Sequence, residues 1–198
     1  RPAGAVVLPT ASRNALGFHD EIEIPGTEAE LDGHVLVDDE RLPEATICVL
    51  RLLELDVAGF STLSVDEQEA VIGRRRDDGA PLSGGSIDDP VDLQARHPDG
   101  SYLIPERAHV RAAHPLYTGS SLMLRRSYDV TSPDPGGSSQ MLFTSYQRSL
   151  DTFVATQRRL DETDELMRFV TPIGSASFLV VPAPGRSTAD VLLADGAG

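Results

Sequence analysis

The chain has 198 residues, 40% hydrophobic and 24% charged, the proportions of a globular domain with room for a sizeable core. Its 17 basic residues are all arginine and stand against 31 acidic ones, a formal charge of −14. That balance argues against nucleic acid or an anionic membrane surface as partner, and no apolar run approaches the ~20 residues of a membrane span.

Residues 1–43 read as an irregular segment rich in Pro, Gly and acid, with short apolar pieces such as "GAVVLP" and "GHVLV" and, at 17–25, the stretch "GFHDEIEIP". The chain opens on Arg1 rather than Met, so a processed, split or partial polypeptide is expected. No signal peptide shows a destination, which leaves both a secreted and a cytoplasmic location open. From residue 44 to 183 the pattern sharpens. "ATICVLRLLEL" is a near-continuous aliphatic and β-branched run that suits a buried strand. Cys48 lies inside it, cannot form an internal disulfide, and reads as a small buried residue. In "STLSVDEQEAVIGR", Ser64 and Glu67 have the capping-box spacing that starts a helix through about Arg74. Residues 76–121 are turn-rich and too long for an ordinary connection, as functional loops often are. "SLMLRRSYDV" and "SQMLFTSYQ" then form two strands of a hairpin across "TSPDPGGS". "SLDTFVATQRRLDETDELMRFV" reads as one long amphipathic helix, "SASFLVVPA" as a last strand, and 184–198 as a low-complexity tail that frays.

The order β-α-β-β-α-β defines an α+β, ferredoxin-like fold with a four-stranded antiparallel sheet and a long insertion after the first helix. Both helices fall on one face, which leaves the other face and the insertion to build a site.

Three features carry chemistry. "ERAHVRAAHP" holds His109 and His114 beside two arginines. Neither CxxC nor HExxH occurs, so a zinc site made by the protein alone is not expected. On the long helix Leu150, Phe153, Val154, Leu160 and Met167 share a stripe, and Asp164 falls inside it. A carboxylate there needs a partner, either Arg168 four residues on or a histidine that it would orient. "GFHD" and the arginine pair of "LRRSYDV" add a carboxylate and a guanidinium from other segments.

Together "VLRLLELDVAGFSTLSVDEQEAVIGRRRDDGAPLSGG", "AHVRAAHP", "LMLRRSYDV", "MLFTSYQRSLDTFVATQRRL" and "IGSASFLVVP" resemble the C-terminal half of a dye-decolorizing-type haem peroxidase over residues 17–182. The resemblance implies a cofactor, haem b, and residue roles. His109 matches the proximal ligand of haem iron, with Asp164 as its orienting acid. Asp20 matches the distal aspartate, Arg125 the distal arginine, and Arg74 an arginine that pairs with a haem propionate. His114 is left as a loop residue. The implied activity is reduction of hydrogen peroxide and oxidation of organic electron donors. A carboxylate would shuttle the proton and a guanidinium would stabilise the leaving oxygen. With no tryptophan, Tyr102, Tyr117, Tyr128 and Tyr146 are the candidate electron relays, although packing is the simpler reading of each.

The sequence departs from the family in three places. Glu21 stands where the family has glycine, so its side chain crowds the distal pocket or adds a charge to it. "IEI" replaces the polar residues before the proline, and Ser127 stands where relatives often have Gly or Asn. The resemblance reaches only the family's C-terminal half, so its N-terminal ferredoxin-like domain is expected to be missing from this chain. A second chain supplying that domain, or a homo-oligomer, is therefore expected to cover the sheet. The alternative reading is a non-catalytic subunit that keeps the fold without productive peroxide chemistry.

Overall fold

A computed structural model describes residues 13–130 and 139–182, together with 185, 187–189 and 192. The "GAVVLP" stretch, the hairpin turn "TSPDPGGS" and the end of the tail lie outside the described residues. Four strands, β1 (Thr46–Leu55), β2 (Leu124–Val130), β3 (Ser139–Gln147) and β4 (Val170–Val180), form one sheet in the order β2-β3-β1-β4. All pairings are antiparallel, which is the ferredoxin-like arrangement. β1 sits between two neighbours and packs on both faces, which is why it reads as a near-continuous apolar run.

The helices are α1 (Glu28–His34), α2 (Val57–Ser61), α3 (Val65–Ile72), α4 (His109–Ala112), α5 (Pro115–Thr118) and α6 (Leu150–Thr163). Among the described residues no helix is long and apolar enough to cross a membrane. α3 starts where its capping box predicts: the Ser64 hydroxyl accepts from the Glu67 N–H, and Glu67 returns the bond to the Ser64 N–H at 2.8 Å. It stops at Gly73, whose φ of 96° suits glycine, and a Cβ there would lie 2.3 Å from Val110. That close approach brings α3 against α4.

Three expectations need correction. Residues 1–43 are not wholly irregular, because α1 forms on a second capping box, Thr27 with Glu30. The long helix does not run through to Val170. It ends at Thr163, and Asp164 (φ −81°, ψ 120°) instead caps a short 3-10 helix, Glu165–Phe169, by accepting from the Leu166 N–H at 2.9 Å. Aspartate competes for backbone donors, so it favours a cap over a helix interior. The stripe holds only in part: Phe153 and Leu160 share a face, but Leu150 is exposed, Met167 belongs to the 3-10 turn, and α6 buries Thr152 and Thr156. β4 also begins five residues earlier than expected, at Val170.

The insertion is ordered without long elements of its own. Buried Arg111 donates to the carbonyls of Leu93, Ile104 and Pro105 and to the Tyr117 hydroxyl. Leu93, Ile104 and Ala108 form a small core beside it. Of the tail, expected to fray, Thr188 donates its N–H to the Glu44 carboxylate at 2.9 Å, and Ala189 and Leu192 pack on Leu31, Val35 and Leu124.

Candidate active site

A cavity of ≈ 360 Å³ opens between the sheet and α6, within the size range of cofactor sites. Arg51, Leu53 and Leu55 of β1 and Met141 and Phe143 of β3 face it, as do Phe153 and Leu160 of α6. Those strand residues alternate with Cys48, Leu50 and Leu52, which point to the other face. The site thus lies on the helix-bearing face, which overturns the expectation for the opposite face, while the insertion, also expected to build the site, does line it through His109 and Val110. Part of that opposite face is taken by α1 and the tail, through Leu124 and Tyr146.

His109 is the first residue of α4, and its ring exposes about a third of its surface (35%) toward the cavity. Its Nδ1 lies 2.6 Å from Oδ2 of Asp164, which is buried. The break after α6 serves this contact, since an extended residue can cap one turn and still reach across to α4. Arg168, the local alternative for Asp164, pairs with Glu165 instead. Burial works against a protonated ring, but the charge and hydrogen bond of Asp164 outweigh it and hold the His109 pKa above its usual value. With Nδ1 engaged, Nε2 is the nitrogen left for a ligand.

Asp20, Arg125 and Arg74 line the same cavity, so all five residues singled out in the sequence converge. The loop carrying Asp20 is fixed by its neighbours. Gly17 holds φ at 88° with Arg76 where a Cβ would sit, and Phe18 is buried edge-on against Phe60. Asp20 Oδ2 accepts from the Ser127 hydroxyl, and Oδ1 accepts from the Glu21 N–H at 3.0 Å. Arg125 and Ser127 alternate to the cavity side of β2, and Arg125 donates to the Ile22 carbonyl at 2.9 Å. Burial lowers the Arg125 pKa from its usual value, opposed by the nearby carboxylates of Asp20, Glu23 and Glu21. Arg74 is buried, donates through Nη1 to the carbonyls of Gly79 and Ile87, and holds Nη2 3.6 Å from Glu23. That Nη2 makes no hydrogen bond.

Glu21 adopts φ 59° and lines the cavity, with its carboxylate 3.6 Å from Arg126. It therefore does add a side chain to the pocket, but one that is paired. Burial raises its pKa despite Arg126. His114 is more than a loop residue: its Nδ1 accepts from the Leu116 N–H at 3.1 Å and caps α5. Sequence reasoning missed two contributors. Ser127 reads from sequence only as a substitution, and Arg111, two residues after His109, belongs to no motif that marks it. Of the tyrosines, Tyr102 lies under Arg96 (3.7 Å) and Arg111 (4.3 Å), and Tyr146 packs with α1.

Residues 11–184 match the family model described as "Dyp-type peroxidase, C-terminal". A dye-decolorizing peroxidase of Thermobifida fusca is 36% identical over 92% of this chain and 46% of its own length. The deferrochelatase of Escherichia coli K12 is 31% identical over 85% of the chain and 42% of its length. The crystal structure of a DyP-type peroxidase from Streptomyces coelicolor superposes with a TM-score of 0.82 at 33% identity, covering 98% of this chain and 55% of that one. The chain thus spans about half the length of the relatives it matches. On sequence and fold together, the chain belongs to the dye-decolorizing peroxidase family and corresponds to its C-terminal region.

Proposed function

We propose that this chain binds haem b and acts as a peroxidase, reducing hydrogen peroxide and oxidising organic electron donors. The observation that carries the proposal is the Asp164-held His109 sharing one cavity with Asp20 and Arg125. The residues fit the cofactor on two counts. His109 offers Nε2, and Arg74 offers a buried donor that lacks a hydrogen bond, as a carboxylate-bearing ligand requires. When bound, the haem iron supplies the redox centre for peroxide reduction.

The chain's own groups would divide the remaining work. Asp164 accepts a hydrogen bond from the Nδ1–H of His109, which fixes the ring's tautomer and makes it a stronger ligand. Asp20, held by Ser127, takes up a proton from peroxide. Arg125, anchored on the Ile22 carbonyl, places fixed positive charge where the departing oxygen becomes negative. Arg74 holds a propionate. Residues 1–43 and the sheet domain of 44–183 act as one haem-binding unit, since Asp20 comes from the first and His109 from the second. The non-catalytic alternative is less well supported, because the whole set faces one cavity.

The partner we propose is a second ferredoxin-like sheet on the opposite face, supplied by a separate chain or by self-association. In support, Tyr128 and Phe178 stand 42% and 53% exposed there.

The test is reconstitution with hemin. The wild-type chain gains a Soret band, His109→Ala loses it or shifts its ligation spectrum, and His114→Ala keeps it. Equal retention in both variants overturns the His109 assignment.

A further inference from the structure

Glu23 occupies an unusual position beside Arg74. Its backbone is left-handed (φ 55°), a conformation that non-glycine residues rarely adopt. Its carboxylate lies 3.6 Å from Nη2 of Arg74, and the Arg74 side chain is only 5% exposed. Arg74 cannot turn away, because Nη1 is tied to the carbonyls of Gly79 (3.0 Å) and Ile87 (3.2 Å). Nη2 is thus presented in one fixed direction, without a hydrogen bond and with one carboxylate just beyond bonding range. A buried cation needs a counter-charge, and Glu23 provides a loose one.

We infer that Glu23 is an affinity-setting residue that stands in for a haem propionate on Arg74 and competes with it. The inference rests on the haem reading above and on the propionate role of Arg74. In the haem-free chain Glu23 neutralises Arg74. When a propionate takes the Nη2 donor, two carboxylates meet one guanidinium, and their repulsion weakens binding. Glu23 is partly exposed (36% of its side chain), so it is free to swing outward and yield the seat.

Hemin titration of the full chain tests this. Glu23→Gln keeps the side-chain shape and removes the charge, so the Kd for hemin falls ~10-fold or more, the scale of one partly screened charge pair. The haem-free variant unfolds at lower urea than the wild type, because Arg74 loses its counter-charge. Glu28→Gln, an exposed acid in α1, removes the same charge elsewhere and leaves the Kd unchanged. In an Arg74→Gln background, Glu23→Gln brings no gain. An unchanged or higher Kd in Glu23→Gln overturns the inference, as does an equal gain in the Arg74→Gln background. A wild-type chain with no Soret band overturns the haem reading itself. A wild-type band with an unaltered Kd in the variant overturns only the role of Glu23.

Discussion

At the scale of single residues the distal pair makes the sharpest demand. Arg125 is held by the Ile22 carbonyl and faces the cavity beside Asp20. Arg125→Leu slows the reaction with peroxide ~10²-fold or more in stopped-flow mixing, the usual scale for losing a fixed donor to developing negative charge. Asp20→Asn is milder, because the arginine remains. An unchanged rate in Arg125→Leu removes it from the mechanism. Glu21 makes a second demand through pH. Its folded pKa is raised, chiefly by burial, so the folded state binds its proton more tightly than the unfolded chain. Its stabilising contribution is complete below the ordinary glutamate pKa and is lost as pH rises through the folded value. Glu21→Gln therefore gains stability relative to wild type as pH rises above that ordinary value, measured by urea unfolding across the range. A constant difference between the two proteins refutes it. That His109, Asp20, Arg125 and Arg74 would meet was legible in the family's motifs, and Asp164 stood out as a carboxylate among apolar residues. Ser127 was not legible, because its bond to Asp20 joins residues 107 apart and no local pattern announces such a contact.

At the scale of elements, the break at Asp164 matters most. One carboxylate there both caps the 3-10 helix and holds His109. Asp164→Ala loses the cap, at about 1 kcal/mol, and leaves the His109 Nδ1 unpaired, so urea unfolding shifts by about 2 kcal/mol or more. Asp164→Asn keeps a capping oxygen and loses much less stability, yet on the haem reading proposed above it weakens His109 as a ligand. A common loss in both would mean that the charge matters more than the cap. The strands and α3 were legible because hydrophobic alternation and a capping box are local signals. The end of α6 was hidden by apolar residues that continue at helical spacing past Asp164. α1 obeys the same capping rule as α3, but its seven residues bury only Leu31 and sit in an acid-rich, Pro- and Gly-bounded stretch.

At the scale of the whole molecule, the described residues cover the sheet's second face only in part. α1 and the tail take one end of it, around Leu124 and Tyr146, while Tyr128 and Phe178 remain exposed. Light scattering should show association, either with a partner sheet or between copies. A stable 21.2 kDa monomer carrying haem would dismiss that expectation. The near-continuous apolar pattern of β1 made a two-sided sheet legible. Which face holds the cavity was not legible, because both faces of β1 read as apolar and only the packing of α6 distinguishes them.

The walls of the cavity are drawn from segments remote in sequence: Asp20 meets Ser127 across 107 residues, and His109 meets Asp164 across 55. Such a site has no local precursor. Each wall waits on the closure of a long loop, whose entropy must be met before its contacts reward it. On the haem reading proposed above, capture of the cofactor would come late on the folding route and would slow escape from the native state more than hasten arrival. During refolding with hemin present, growth of the Soret band should trail the recovery of helical signal.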